Sequence, residues 1–199
     1  MLLGRVVKSN SHIDYVVQVF APGEVSDTPS PEDYAFGRFV RVAIDGSHHD
    51  LIGVIYDTLL LNPAYGTLGP RLSGDPQLTS FSPDYMPETA TVVGIAVLGW
   101  RTADGEQFHY RQGVPPVASR VGAEARLLEE EEFRAFHRSG DEAMATVAYL
   151  PRLGAMANPA IPELVNGILT RLIHAFPESA PTLSVLRSNL DWSSKLGHR

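Results

Sequence analysis

The stretch LIGVIYDTLLL, residues 51–61, decides the fold. A long run of Ile, Val, Leu and Tyr is typical of a strand that is buried inside a sheet. Asn62-Pro63 and Tyr65-Gly66 end this run, because Pro63 has no N–H to donate to a ladder and Gly66 accommodates a positive φ. We therefore expect a central strand that leads directly into a turn.

Shorter strand-like segments surround this run. They lie at residues 2–7, 13–20, 36–44, 91–100 and 107–111. Asp45-Gly46 and the segment 103–105 carry turn residues that predict tight connections. Residues 67–88 form a Pro-, Gly- and Ser-rich loop, longer than compact domains usually keep without a function or order of its own.

Helix signals dominate from residue 123 onward. We predict a helix at 127–137 and another at 142–150, the latter capped by Asp141 and ended by Pro151. A third helix begins near Pro162 and stops at Pro177, and a fourth opens at Pro181. Strands followed by helices indicate an α+β protein.

The third helix carries a wide apolar stripe through Leu164, Ile168 and Leu172. Two interpretations stay open for it. The stripe either closes an open end of the strand-rich part or pairs between subunits.

Composition excludes several classes of protein. The 199 residues are 44% hydrophobic and 20% charged, which allows a sizeable core. With 16 basic and 23 acidic side chains the net charge is −7, which argues against a broad nucleic-acid surface. The absence of cysteine excludes disulfides and thiolate sites and fits a cytoplasmic location. We expect no signal peptide and no membrane span, because long apolar segments are lacking.

Catalytic motifs are absent from the sequence. There is no GxxxxGK[ST] or GxGxxG phosphate loop and no GxSxG elbow, so we exclude a self-contained nucleoside triphosphatase. His48-His49-Asp50 is interpreted as a polar turn, since adjacent residues of an extended chain point to opposite sides. The acidic run 129–132 is interpreted as a solvated helix start.

Two alternatives with chemistry stay open. His12 and Asp14 share one strand face and, with His109, could form a cryptic enzymatic or metal site. Scattered arginines, together with tyrosines, could form a nucleic-acid-binding barrel face. Those residues are Arg38, Arg41, Arg71, Arg101, Arg111, Arg120, Tyr15, Tyr56 and Tyr110.

The order of the segments resembles a known family. GRVV, DYVVQV and FVRV come first, LIGVIYDTLLLNP and VVGIAVLGW follow, and GVPPVASRV leads into EEEEFRAFH. Over residues 1–138 this arrangement resembles the HAS-barrel domain, the small β-barrel shared by HerA-type ATPases and subunits of rotary ATP synthases. The resemblance implies a small closed β-barrel of about six strands at 1–122, followed by a helical extension at 123–199.

The resemblance also implies a function. In that family the barrel is not catalytic; it helps to assemble or cap a ring ATPase, and in HerA-type proteins it docks the nuclease NurA in DNA-end processing. We accordingly expect no catalytic residue, cofactor or metal in this chain. The ATPase core is missing from this sequence, so we expect a stand-alone cytoplasmic adaptor rather than an enzyme. Expected partners are a HerA-like ATPase, a NurA-like nuclease or further copies of the chain. The alternative is a small barrel that binds nucleic acid or a ligand.

The loop that follows the central strand is the predicted partner interface. It is rich in apolar and aromatic residues, which are common at binding hot spots when exposed. The candidate interface residues are Tyr65, Leu68, Arg71, Leu72, Phe81 and Tyr85. The alternative is that these side chains fold back over the barrel.

Overall fold

A computed structural model describes residues 1–44, 49–62, 89–105, 107–138 and 144–196, with side chains to residue 190. The strands are β1 (Leu2–Ser11), β2 (Asp14–Val19), β3 (Phe39–Ile44), β4 (His49–Leu61), β5 (Ala90–Asp104), β6 (Gln107–Gln112) and β7 (Glu124–Leu127). The helices are α1 (Glu130–His137), α2 (Leu150–Gly154), α3 (Ile161–Ala175) and α4 (Ala180–Leu196), with a 3₁₀ turn at Pro177–Ser179.

Six antiparallel strands close into a barrel. The order around it is β1-β2-β5-β4-β3-β7, and the β7–β1 pairing completes the circle. β6 lies outside the barrel and pairs with β5. The predicted α+β class with an N-terminal closed barrel and C-terminal helices is confirmed.

One edge of β5 pairs with two different strands. Its residues 92–96 pair with β2 and close the barrel, whereas residues 99–104 pair with β6. A register shift between Ile52 and Gly53 of β4 marks a bulge in β5 at Leu98, where the strand changes neighbour. Arg152 of α2 donates to the carbonyls of Val97 and Leu98 at 3.1 Å each, so the carbonyls at the bulge are satisfied.

The barrel strands bury side chains on both faces. In β4, Leu51 and Ile55 belong to the cluster inside the barrel, whereas Ile52 and Val54 belong to an outer cluster shared with the helices. A strand that is covered on both faces has no solvent side to demand polar residues. This double burial explains the unbroken apolar run that predicted a central strand.

The helices cover the outer face of β3, β4 and β5. Leu164, Ile168 and Leu172 of α3 are buried in the same cluster as Phe39 and Leu98 of the barrel. Both interpretations of this stripe were wrong: it neither closes an end of the barrel nor stays free to pair between subunits. The outer face of the central strands is itself apolar, and α3 removes it from water.

A proline-stiffened strap, residues 113–121, crosses one end of the barrel. Ser119 donates its backbone N–H to the Tyr15 hydroxyl at 3.0 Å and its own hydroxyl to the Ala43 carbonyl at 2.6 Å. His12 Nε2 lies 2.8 Å from the Pro115 carbonyl. These bonds tie the strap to the ends of β2 and β3 and to the β1–β2 turn, and so cover the interior around Tyr15.

Two sequence expectations for the second half were wrong. β7, at Glu124–Leu127, is the sixth barrel strand and lies beyond residue 122, in the part expected to be helical. Its four residues are too few to show a strand period, and the open edges of β1 and β3 make it a strand. Residues 144–149 are not helical, and Pro151 lies in the first turn of α2, where a missing N–H costs nothing.

β5 and β6 approach each other closely at Gly99. A Cβ there would overlap the Arg111 carbonyl oxygen and lie 2.8 Å from the Phe136 ring. We predict that Gly99→Ala lowers the free energy of unfolding by about 1–3 kcal/mol, measured by urea denaturation.

Gly167→Ala is the matched control. Nothing lies within 4 Å of a Cβ at this position in α3, so the substitution should stabilise the protein by about 1 kcal/mol through helix propensity. Equal effects of the two substitutions would contradict the described packing.

Candidate functional site

The six predicted interface residues, Tyr65, Leu68, Arg71, Leu72, Phe81 and Tyr85, lie outside the described residues. The structure does describe the two strands that carry this segment. β4 ends at Leu61 and β5 begins at Ala90, and these ends pair with each other. We call residues 57–61 and 90–94 the arm.

The arm extends past the neighbouring strand. The ladder between β3 and β4 stops at Phe39 and Val54, whereas β4 and β5 stay paired up to Leu61 and Ala90. Among the described strands, none pairs with the outer edge of β4 at residues 57–61. An unpaired strand edge offers N–H and C=O groups to another strand.

The arm exposes three consecutive leucines. Leu59, Leu60 and Leu61 retain 52%, 80% and 49% of their accessible surface. Alternate residues of a strand point to opposite faces, so Leu60 lies on one face and Leu59 and Leu61 on the other. The arm therefore combines an open backbone edge with apolar side chains on both faces.

A bulge at Tyr56 fixes the root of the arm. The Tyr56 ring packs against Gly94, where an added Cβ would lie 3.0 Å from the ring. Its hydroxyl donates to Asp14 Oδ1 of β2 at 2.9 Å. Burial raises the pKa of Tyr56, and the Asp14 carboxylate adds to the rise, so the phenol remains a donor at physiological pH.

An ion-pair cluster joins the barrel to α1. Arg101 of β5 contacts Asp50 of β4 at 2.6 Å through Nη2 and Glu132 of α1 through Nη1. Arg41 of β3 lies 3.3 Å from Asp50 and, through Nε, 3.6 Å from Glu132. Two guanidinium groups and two carboxylates are thus held together by four different elements.

Arg101 is the centre of this cluster. Its side chain is only 7% exposed, and the Phe108 ring lies 4.0 Å from its guanidinium carbon. Burial lowers the pKa of Arg101, but the hydrogen bond with Tyr110 and the carboxylates of Asp50 and Glu132 outweigh it, and the pKa is raised. The cluster is balanced in charge, and its geometry anchors α1 to the sheet.

A buried histidine links α1 to α2. His137 Nδ1 lies 2.8 Å from the Phe133 carbonyl, and Nε2 lies 2.8 Å from the Tyr149 hydroxyl. The rings of Phe39, Phe133 and Phe136 surround the imidazole. Burial lowers the pKa of His137 to about 3, so the ring is neutral and accepts the Tyr149 proton at Nε2.

Sequence reasoning missed both groups of residues. In the sequence His137 stood alone, although Phe133, Phe136 and His137 at helical spacing could have indicated one buried face. No spacing rule brings together Arg41, Asp50, Arg101 and Glu132, because the tertiary fold alone makes them neighbours.

The structure gives His12, Asp14 and His109 different surroundings. His12 contacts the Pro115 carbonyl, Asp14 bonds Asn10 and Tyr56, and His109 lies on β6 opposite Thr102. Within the described ranges, no three His, Asp or Glu side chains are placed to hold a metal ion.

His49 belongs to strand β4. His49 begins β4 between Ile44 and Thr102, whereas His48 lies outside the described residues.

Four of the nine arginines and tyrosines considered for a nucleic-acid face are engaged elsewhere, and Arg71 lies outside the described residues. Tyr15 is buried inside the barrel, and Tyr56 is bonded to Asp14. Arg41 and Arg101 face carboxylates in the ion-pair cluster. These side chains do not form one exposed basic and aromatic surface.

None of the described helices has the length and apolar character needed to cross a membrane.

Removing Arg101 tests the ion-pair cluster. Arg101→Met removes the closest cation from Asp50 and Glu132, which still face Arg41, so we expect a loss of about 1.5–3 kcal/mol in the free energy of unfolding. Arg126→Met is the control, because the Arg126–Glu124 pair is partly exposed and should contribute about 0–1 kcal/mol. Urea denaturation of both variants measures the difference, and similar losses would refute the anchoring role.

His137 predicts an acid-dependent loss of stability. Its pKa is about 3 in the folded protein and about 6.5 in the unfolded chain, so between these two pH values the unfolded chain binds the proton and the folded protein does not. The free energy of unfolding therefore falls by about 1.4 kcal/mol per pH unit from this residue, from about pH 6 to about pH 3.

The His137→Gln variant should lose this component of the pH slope, measured by urea denaturation across that range. His174→Gln, at an exposed histidine of α3, is the matched control for the substitution itself. A His137→Gln profile parallel to that of the unmodified protein would show that His137 takes up its proton in the fold.

Comparison with known proteins places the chain in a family. The family described as "Domain of unknown function (DUF8166)" matches residues 1–198. No curated protein matches the chain. Because the match spans nearly every residue, the chain belongs to the DUF8166 family.

Proposed function

We propose that this protein is a non-catalytic adaptor that docks onto a partner protein through its arm. The observation that carries the proposal is the exposure of Leu59, Leu60 and Leu61 on a strand whose outer edge has no partner among the described strands. The arm also leads directly into the segment that contains the six predicted interface residues. Those six residues stay predicted contacts of the same partner.

The physics of the arm favours a protein partner. An incoming strand would pair with the backbone of residues 57–61 and place its side chains beside the leucines. Burying each leucine contributes up to about 1.5–3 kcal/mol, which helps to offset the cost of association. Nucleic acid is bound mainly through Lys and Arg contacts to its phosphates, which an aliphatic strand edge in a chain of net charge −7 does not provide.

The resemblance to the HAS-barrel family suggests the partner. The barrels of that family act in ring assembly and docking, and a six-stranded antiparallel barrel followed by helices is compatible with that origin. We therefore propose a HerA-like ring ATPase or a NurA-like nuclease as the partner, with a role in DNA processing.

The root of the arm supports docking at a defined orientation. Tyr56 packs on Gly94 and bonds Asp14, so the base of the arm is tied to β2 as well as to β5. A preorganised strand edge loses less conformational entropy on binding than a free loop does.

We predict that Leu60→Asp weakens capture of the partner. The tagged protein and its variants are incubated with a purified HerA-like ATPase or NurA-like nuclease, and the bound fraction is measured. A charge at Leu60 would have to be buried in the interface, so binding should fall by at least about tenfold.

Val185→Asp in α4 is the matched control, because Val185 is also exposed but lies in the helical layer. It should leave capture unchanged. Capture of neither protein by the unmodified chain, or equal loss in the two variants, would overturn the proposal.

A further inference from the structure

A groove lies on the side of the barrel that the helices leave uncovered. The helical layer packs on the outer face of β3, β4 and β5, whereas the groove lies over β1 and β2. It is open to solvent and has a volume of about 270 Å³. Its walls include Arg5, Val7, Gln18, Phe20, Glu24 and Val121.

Arg5 brings an uncompensated positive charge to this groove. Its guanidinium carbon lies 5.5 Å from the centre of the Phe20 ring. Across the ladders Arg5 is opposite Gln18 of β2 and Glu124 of β7. No carboxylate among the described residues forms an ion pair with it.

The two nearby carboxylates already have other donors. Glu124 pairs with Arg126 at 3.0 Å, and Glu24 accepts the backbone N–H of Ala21 at 2.6 Å. Among the described residues no carboxylate pairs with Arg5, whose side chain is exposed to solvent. Its planar guanidinium can therefore donate to an acceptor from outside the chain.

Aliphatic side chains flank this charge. Val121 of the strap and Val7 of β1 remain 68% and 40% exposed. The strap is held in place here by the bond from the Gly122 N–H to the Val6 carbonyl at 2.7 Å and the bond from the Val6 N–H to the Ala123 carbonyl at 2.9 Å. The groove thus offers one cation, one aromatic face and a fixed aliphatic wall.

This combination distinguishes between possible anions. A polyphosphate or nucleic-acid backbone carries several negative charges, and the Glu24 carboxylate in the wall would repel them. A single carboxylate on an otherwise apolar segment pairs with Arg5 and brings only one negative charge near Glu24, while the apolar segment covers the valines.

We infer that the groove binds an extended peptide segment of a partner protein, in which an Asp or Glu side chain is flanked by aliphatic residues. The carboxylate pairs with Arg5, and the flanking side chains cover Val7 and Val121. This inference rests on the proposed docking function, and it adds a second contact on a face separate from the arm.

The test uses the ¹⁵N-labelled full chain and two synthetic probes, acetyl-Ala-Val-Glu-Val-Ala-amide and the same peptide with Gln in place of Glu. The Glu peptide should shift the backbone amide signals of Arg5, Gln18 and Gly122 in a saturable way. The Gln peptide should bind about tenfold more weakly, because it lacks the charge.

Variants and a competing anion decide the outcome. Arg5→Gln should weaken binding of the Glu peptide about tenfold, whereas Arg38→Gln, which removes an arginine that bonds the Glu32 carbonyl, should not change it. Equal binding of both peptides, no effect of Arg5→Gln, or equally tight binding of inorganic phosphate would each overturn the inference.

One variant separates this inference from the proposed function. Leu60→Asp should still bind the Glu peptide, since the arm is not part of the groove. If Leu60→Asp loses partner capture but still binds the Glu peptide, both proposals are supported. If the unmodified protein captures the partner but does not bind the Glu peptide, the groove inference is overturned and the arm proposal stands.

Discussion

The pairing of β4 with β5 connects the barrel core, the helical layer and the arm. Both strands bury one set of side chains inside the barrel and another under the helices, so they belong to both hydrophobic clusters. β5 closes the barrel through β2 and then, past the bulge at Leu98, carries β6. The end of the same ladder forms the arm, in which the β4 edge has no neighbour among the described strands, so the core and the proposed docking element are one continuous pair of strands.

Polar contacts then attach the helices to this ladder in a defined way. Arg101 connects β5 to β4 and α1, and Arg152 of α2 satisfies the carbonyls at the β5 bulge. His137 and Tyr149 satisfy each other inside the aromatic layer. Hydrophobic burial supplies most of the attraction between helices and barrel, whereas these bonds fix their orientation.

The sequence predicted the parts of the fold in which local pattern and tertiary environment agree. The run at 51–61 is apolar because β4 is covered on both faces, and the strand it predicted is present. β7 and the short α2 were missed, because four- and five-residue elements owe their conformation to their neighbours rather than to a period of their own. The cluster around Arg101 and the groove at Arg5 depend on distant segments, and the six interface residues from Tyr65 to Tyr85 stay a prediction.

We propose that the arm is the element that contacts a partner. Hydrogen exchange of the full chain, with and without a purified HerA-like ATPase or NurA-like nuclease, tests this contact, because the backbone amides of the arm report on pairing with an added strand. We expect binding to slow exchange at residues 57–61 and to leave α4 unchanged. Slowed exchange in the helical layer with an unaltered arm, or no change with either protein, would contradict it.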